Sequence, residues 1–424
     1  MDIQRYRSTV LTTAMLGLCS AQAFASSSST STAESFIGDG KVSGYIRAQE
    51  WTNRNFYNGS ADTDTFAVGG KLKAESGSVG NFSVGAAFYT AHTPQSTRDS
   101  PLNYDPTLGT DIDTIGELYV NYRNDWLNIR GGRQSIETPF ANSADYRMVP
   151  ALYEGITAEI KPAQNLSLSF GRIWSYKNWV GSGFDRTNNE TDGPFAKSSL
   201  SGLTSGGFWY AGAHAMTDIG SMQLTSQLWY YNFSDIAHLA FLDEKLALPA
   251  SGRFKPFIGF QYANEKEGGA AILGAVRSTP YGLKIGADFD ASSIAAAVVH
   301  LPAHQGAFNN GGLASPYTDG YGSAALFTGN MLFPTEGLGS GNAYQLSGSH
   351  SFSDTWSAWA AYNRFNQTAD GSPAEQIDEY VLSVTYTPHD FAKKLQVVDM
   401  LGYATLAGNS HDFLQNRLML QYAF

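Results

Sequence analysis

From residue 41 to its end the chain alternates apolar and polar side chains at every second position, segment after segment. Nowhere does it reach the ~18 consecutive apolar residues that a membrane helix requires. "KVSGYIRAQEW" places Val42, Ile46 and Ala48 on one face and Ser43, Tyr45, Arg47 and Gln49 on the other. "FAVGGKLKAE" sets Val68, Gly70 and Leu72 against Lys71, Lys73 and Glu75, and "IGELYVNY" sets Leu118, Val120 and Tyr122 against Glu117, Tyr119 and Asn121. "SMQLTSQLWYY" opposes Met222, Leu224 and Leu228 to Gln223, Thr225 and Gln227. The device returns in "NFSVGAAFYT", "NLSLSF", "YGLKIGADF", "NAYQLSGSHSF", "WSAWAAYNRF", "DEYVLSVTYT" and the terminal "RLMLQYAF". Period two sustained over ~8 to 11 residues describes strands whose two faces meet different media.

Composition decides what such strands build. Only 15% of residues are charged, whereas soluble domains carry about 25%. Aromatic residues reach 13%, and no Pro/Gly linker or composition shift divides residues 41–424, so one domain is expected. Seventeen strands are read from the alternation, and an eighteenth is placed within residues 313–332. Eighteen strands leave about 22 residues for each strand and its connection, enough for tilted membrane strands joined alternately by short turns and long loops. Trp174, Trp179, residues 208–210, residues 229–231, Trp356 and Trp359 suit the two lipid–water interfaces. Residues 236–248 read as an amphipathic helix or as loop. The expected fold class is all-β, a transmembrane antiparallel up-and-down β-barrel of 18 strands. A soluble β-sandwich or β-helix competes, but a polar face on nearly every strand argues against it.

The amino terminus states where the chain goes. Arg5 and Arg7 precede the apolar stretch "TVLTTAMLGLCS", and Ala23, Phe24 and Ala25 put small residues where a signal peptidase reads. Residues 1–25 are expected to be a secretory signal peptide cleaved near Ala25, residues 26–40 a flexible Ser/Thr-rich leader, and residues 41–424 the barrel. Cys19, the only cysteine, falls inside the signal behind Leu18, where lipidation would want a small residue. The mature chain therefore holds neither disulfide nor thiolate metal site. Losing Arg5, Arg7 and Asp2 leaves 25 basic and 37 acidic side chains, a formal charge of −12. Nucleic acid, which needs a basic footprint, is excluded as a partner.

Residues 115–179 carry "GGRQ", then "TPF", then Arg147-x-x-Pro150-x-x-x-x-Gly155, and "GGFWYAGAHAMTDIGSMQLTSQLWYYNFSDI" and "EKEGGAAILGAVRSTPYGLKIGADFDASSIAAAVVHLP" follow in order. This ordered set, over nearly all the mature chain, resembles the OprD-type substrate-specific porins of Gram-negative outer membranes. The resemblance implies a third loop folded back into the pore as a constriction, and passive diffusion of small solutes. It also implies a monomer or loose homotrimer surrounded by outer-membrane lipid and lipopolysaccharide. Many members of that family guide carboxylates along a ladder of lumenal arginines and lysines. Strand parity offers Arg47, Lys71, Lys73, Arg123, Arg130, Lys284 and Arg417 as lumenal bases, with Arg133 and Arg147 at or within the loop. Arg130, Arg133 and Arg147 facing Glu137 and Asp145 are expected to set a transverse field at the constriction. The family's paired arginines have no counterpart in "LQVVDMLGYA", where Asp399 is the only charge. A sugar-preferring or general diffusion channel is therefore the alternative within the fold.

No Gly-x-Ser-x-Gly elbow and no His-Glu-x-x-His occur. His300 and His304 are separated by a proline, and the runs at residues 62–64 and 111–113 are short acidic loop segments that offer oxygen ligands for calcium but lack a full ligand loop, so the solvated reading is preferred. No enzyme activity, cofactor or metal is expected; a barrel hydrolase or adhesin is the reading from another class. At the carboxy terminus Leu418, Leu420, Tyr422 and Phe424 form a lipid-facing set opposite Arg417, Met419 and Gln421. Apolar alternate positions ending in a terminal phenylalanine match the signal that barrel-assembly machinery reads in such porins.

Overall fold

Backbone amides inside a bilayer have no water to bond, so strands must satisfy one another without leaving an edge. The chain does so by closing on itself. In this computed structural model the described residues are 38–55, 62–98, 105, 107–108, 111–192, 198–318, 325–369, 375–388, 394–407 and 412–424. The expected signal peptide, its cleavage near Ala25, and residues 26–37 of the leader lie outside the described residues.

Eighteen strands form the wall. They are β1 (Lys41–Arg54), β2 (Thr63–Glu75), β3 (Phe82–His92), β4 (Ile112–Arg123), β5 (Leu127–Gln134), β6 (Leu152–Ala163), β7 (Leu166–Lys177), β8 (Phe208–Ile219) and β9 (Met222–Phe233). Then come β10 (Ala237–Ala247), β11 (Phe254–Glu267), β12 (Tyr281–Phe289), β13 (Ser292–Leu301), β14 (Ser340–Ser351), β15 (Trp356–Thr368), β16 (Glu375–Tyr386), β17 (Leu395–Leu406) and β18 (Phe413–Ala423). A two-residue piece, Arg277–Ser278, extends β12 against β11. Each strand pairs antiparallel with the next, and β18 pairs with β1 from Tyr45↔Ala423 to Arg54↔Leu414. Short connections such as residues 164–165, 220–221 and 290–291 gather at one end, and long ones such as residues 178–207 and 302–339 at the other.

The two faces separate as the alternation requires. Leu118, Val120, Ile156, Leu228, Leu283, Ile285 and Leu346 are outward and exposed. Leu418, Leu420 and Tyr422 pair with the outward Glu50, Ala48 and Ile46, so the terminal set does face lipid. Phe424 completes the seam: its backbone exchanges hydrogen bonds with Gly44 at 2.9 and 3.2 Å. Its ring lies over Gly44, where a Cβ would come within 2.7 Å of the ring and 2.1 Å of the Lys71 carbonyl oxygen.

Three expectations are corrected. Residues 236–248 form neither helix nor loop but the strand β10. Its inward Leu239 and Phe241 are apolar because they meet protein inside the barrel, and this hides the alternation. Residues 313–332 hold no strand among the described residues; they lie between β13 and β14, where the described residues 302–318 and 325–339 fold into the lumen. Wall side chains hold their backbone in place of strand partners. Glu265 accepts the Ala314 amide at 2.8 Å, Glu379 the Leu332 amide at 2.7 Å, and Gln261 the Phe327 amide at 2.9 Å. Finally, the aromatic clusters are split by strand parity. Trp174, Trp209, Tyr230 and Trp356 face outward, but Phe208, Tyr210, Trp229 and Tyr231 face inward, and Trp179 is buried.

The inward rings build a hydrophobic core inside the barrel. Tyr153, Tyr176, Phe208 and Phe233 surround Tyr317 of the 302–339 loop, with Phe208 and Tyr317 centroids 4.5 Å apart. That core lies against the loop-end parts of β6 to β11 and of β13.

Removing Phe424, or replacing Gly44 with valine, should leave the seam incomplete. The expected result is loss of the compact, heat-modifiable species in detergent gels and of surface assembly; normal assembly of both variants would contradict this closure. Within the inward loop, Glu336 accepts the Ala325 and Leu326 amides at 2.8 and 3.0 Å. Burial pushes its carboxyl above the ordinary carboxylate range, against the pull of those amides. A carboxyl raised in the folded loop stabilises it fully below the ordinary range, and that stability is lost as pH rises through the raised value. Hydrogen exchange at residues 325–339 should therefore accelerate with pH beyond the intrinsic base-catalysed rate, and Glu336→Gln should abolish the excess.

Candidate solute path and constriction

Residues 135–151 leave β5 and cross the lumen instead of standing above it. Glu137–Thr138 pairs with Ala141–Asn142 in a two-rung hairpin. At its tip Phe140 packs edge-on against Phe241 and Tyr231, at 5.1 and 5.9 Å between centroids. The returning limb reaches β1, where Arg47 Nη1 lies 3.0 Å from Asp145 Oδ1 and Gln49 donates to the Tyr146 carbonyl at 2.6 Å. The loop thus bridges the β9–β10 wall to the β1 wall and narrows the bore. Against it lies a cavity of about 670 Å³ lined by Ser135, Glu137, Thr138, Asn142, Ser143, Asp145, Gln227 and Trp229, among others.

Arg47 and Arg417, expected as lumenal bases, and Arg147, expected in the constriction field, serve instead as bolts. Arg47 is 2% exposed and also donates to Gln421 at 2.9 Å and to the Arg147 carbonyl. Arg147 is 3% exposed, its guanidinium 4.9 Å from the ring centroids of both Trp51 and Trp179. Arg417 lies 4.5 Å from the Trp51 centroid and donates to the Met331 carbonyl of the 302–339 loop at 3.2 Å. Trp51 is therefore held between Arg147 of the constriction loop and Arg417 of the wall, a cation–π arrangement favoured by burial. Arg147 does not meet the bore, which corrects its expected part in the field.

The remaining bases divide by neighbourhood. Lys71 and Lys73 face inward and share Glu117, at 2.6 and 3.1 Å, with Lys73 also 3.5 Å from Glu75. Tyr89 and Tyr119 donate to these carboxylates at 2.7 and 2.5 Å. Arg130 pairs in register with Asn121 and stacks 4.1 Å from the Tyr119 centroid; among the described residues no carboxylate lies within 4 Å of it. Arg123 is inward and exposed at the turn end of β4. Lys284 lies far round the wall on β12. Arg133 departs from its expected role: register sets it opposite Leu118 and Glu154 on the outward face, 3.4 Å from the Glu154 carboxylate and under the Phe184 ring. Asp399 is outward too, accepting from Asn416 at 2.7 Å.

The acidic runs are engaged by nearby bases. Asp62 and Asp64 pair with Arg54, and Asp111 and Asp113 with His92. No cluster that could hold a metal occurs among the described residues. Glu117, Tyr119, Trp51 and Gln421 were not singled out from the sequence. Parity marks each as inward, but only register shows that Glu117 stands between two lysines.

Trp51→Ala should cost about 3–5 kcal/mol, the range for truncating a buried aromatic, and free both loops at once. Thermal unfolding in detergent should shift down, and single-channel traces should become noisier at higher mean conductance. Unchanged noise would show that the Arg147–Trp51–Arg417 stack does not hold the constriction.

The chain can now be compared with known proteins. Residues 36–306 match the model of the outer membrane porin, OprD family. Among solved structures, Pseudomonas aeruginosa OccK9 (OpdG) superposes with a TM-score of 0.78 at 18% identity, covering 92% of this chain and 100% of that one. P. aeruginosa OpdK, solved with vanillate, gives 0.75 at 17% identity with coverages of 92% and 99%. A BenF-like porin from Pseudomonas fluorescens Pf-5 gives the same four values. Curated proteins give no match. A closed 18-stranded wall, an inward third loop and a family match over well over half the chain agree: the protein belongs to the OprD family of outer membrane porins.

Proposed function

We propose that the channel passes small hydrophilic solutes by passive, partly selective diffusion and favours those bearing a carboxylate, amino acids included. One observation carries this reading. Arg130 presents a lumenal guanidinium with no carboxylate within 4 Å among the described residues, beside the Lys71–Glu117–Lys73 cluster, while the crossing loop supplies Glu137 and Asp145. A solute with both an anionic and a cationic group is oriented between such walls without a deep trap. The vanillate in OpdK, a carboxylate held by a structure of similar fold, is in keeping with this.

A second reading has its own support. The cavity against the loop is lined by hydroxyls and amides of Ser135, Thr138, Asn142, Ser143 and Gln227, with the Trp229 ring beside them. Such a lining suits sugars, which bond through hydroxyls and stack a flat face on an aromatic ring. Around this channel we place export through residues 1–25 with cleavage near Ala25, insertion by barrel-assembly machinery reading the terminal Phe424, and contact with lipopolysaccharide as a monomer or loose homotrimer. Catalysis has no part in this reading.

Planar-bilayer recording tests the channel, and absence of conducting steps would end the proposal. Liposome swelling with amino acids, dicarboxylates and oligosaccharides separates the two solute classes. Arg130→Ala should shift the reversal potential in a salt gradient toward cations and reduce permeation of carboxylates about fivefold, as expected for about 1 kcal/mol from one charge near the solute in water. Faster swelling with oligosaccharides than with amino acids, unchanged by this substitution, would favour the sugar reading.

A further inference from the structure

Outward-facing bases near the loop end of the barrel are answered by acids. Arg54 pairs with Asp62 and Asp64, Arg133 with Glu154, and Arg364 with Asp378. One sector differs. His238 of β10, Lys266 of β11 and Arg277 of the piece that extends β12 stand in one row of the sheet, His238 opposite Lys266 and Lys266 opposite Arg277. All three face outward, because the adjacent Leu239, Glu265 and Ser278 are buried on the inner side. With ~4.8 Å between strands the row spans ~10 Å. Lys266 and Arg277 are exposed, and among the described residues neither has a carboxylate within 4 Å. Asp235 accepts the Ala270 amide at 3.2 Å, and Glu267 stands opposite Ala237 on the inward side. The charge of Arg277 reaches His304, whose Nε2 lies 3.4 Å from Thr279 Oγ1; burial first and Arg277 second hold that imidazole below its ordinary range.

The residues beneath the row mark its depth. Tyr262 and Tyr281 stand four positions nearer the turn end than Lys266 and Arg277, outward and exposed. Tyrosines so placed belong to the aromatic girdle at the lipid–water interface, so the bases lie at headgroup height. Below them Phe260 pairs with Leu283 and Ile258 with Ile285, an apolar track on the lipid-facing wall. Tyr230 stacks on His238 at 6.3 Å, and its hydroxyl lies 3.2 Å from His238 Nδ1. Gly268, the next outward position beyond Lys266, adds no side chain; a Cβ there would meet His238 Nε2 at 2.8 Å.

We propose that His238, Lys266 and Arg277 bind the phosphate of an outer-leaflet glycolipid whose acyl chains run down the Phe260–Leu283 and Ile258–Ile285 track. This rests on the contact with lipopolysaccharide placed around the channel and deepens it by naming the residues that make it. The wall separates the row from the lumen, so no permeating solute meets it. The Arg277 guanidinium offers paired donors to two phosphate oxygens and Lys266 adds a third charged donor. With Nδ1 accepting from the Tyr230 hydroxyl, His238 Nε2–H completes the set. In a chain of formal charge −11, bases left unanswered at headgroup height single out an anion held in the membrane.

Native mass spectrometry of the folded full chain in detergent, titrated with diphosphoryl lipid A and with the same lipid dephosphorylated, measures binding. The double variant Lys266→Gln/Arg277→Gln should bind diphosphoryl lipid A about tenfold more weakly, as loss of charge-assisted bonds at a screened surface implies. The dephosphorylated lipid should bind the parent as weakly as the intact lipid binds the variant. Arg253→Gln, at the turn end where Arg253 meets Asp290 at 2.9 Å, should leave binding unchanged. Inorganic phosphate at the concentration of the lipid should not displace it. Affinity within about twofold of the parent in a heat-modifiable, folded double variant overturns the site. So do equal binding of the dephosphorylated lipid, full displacement by inorganic phosphate, and a parent that binds no lipid A. Conducting steps in phospholipid bilayers, which lack lipid A, test the channel separately: a parent that binds lipid A through these bases yet never conducts would sink the channel and leave the site standing.

Discussion

Every part of this molecule depends on one requirement, that no backbone amide be left unpaired within lipid. Eighteen strands meet it only if the last finds the first, and the pairing of β18 with β1 does this over ten residues, with Phe424 and Gly44 extending the seam. Closure in turn creates an interior. Side chains that a soluble sheet would bury against a second layer here surround a space that must be partly filled and partly kept open.

The chain divides that space unequally. On the β6 to β11 side, aromatic side chains of the wall join Phe140 and Tyr317 of two inward loops in a packed core. On the side of β18 and β1, Arg47, Arg147 and Arg417 clasp the same loops through Trp51, Asp145 and backbone carbonyls. A buried guanidinium with several acceptors and an aromatic face makes a stiff joint. Lys71 and Lys73 share Glu117, and Arg130 has no carboxylate within 4 Å among the described residues.

The sequence reading and the structure agree where one face meets lipid. The alternation in "IGELYVNY" or "RLMLQYAF" is regular because polar side chains are costly toward hydrocarbon, so side and strand are legible residue by residue. Legibility failed where the inner face is apolar as well. "AHLAFLDEKLA" lost its period because Leu239 and Phe241 meet a core inside the barrel, and residues 313–332 looked strand-like because they supply that core. Glycines mark a similar limit: Gly132, at φ +126°, precedes Arg133, whose outward place only the register with Leu118 and Glu154 reveals.

By itself the sequence determined the fold class, the lipid-facing set and the family, because each follows from local alternation and ordered motifs; its total of eighteen staves was reached with one strand misplaced at residues 313–332 and one missed at residues 236–248. Tertiary structure alone decided which lumenal charges are bolts and which are free. Parity states the face from which a side chain points. It does not state that Asp145, ninety-eight residues from Arg47, will return across the bore to meet it. That meeting is set by register and by loops packing against a wall the chain completes only at its last strand.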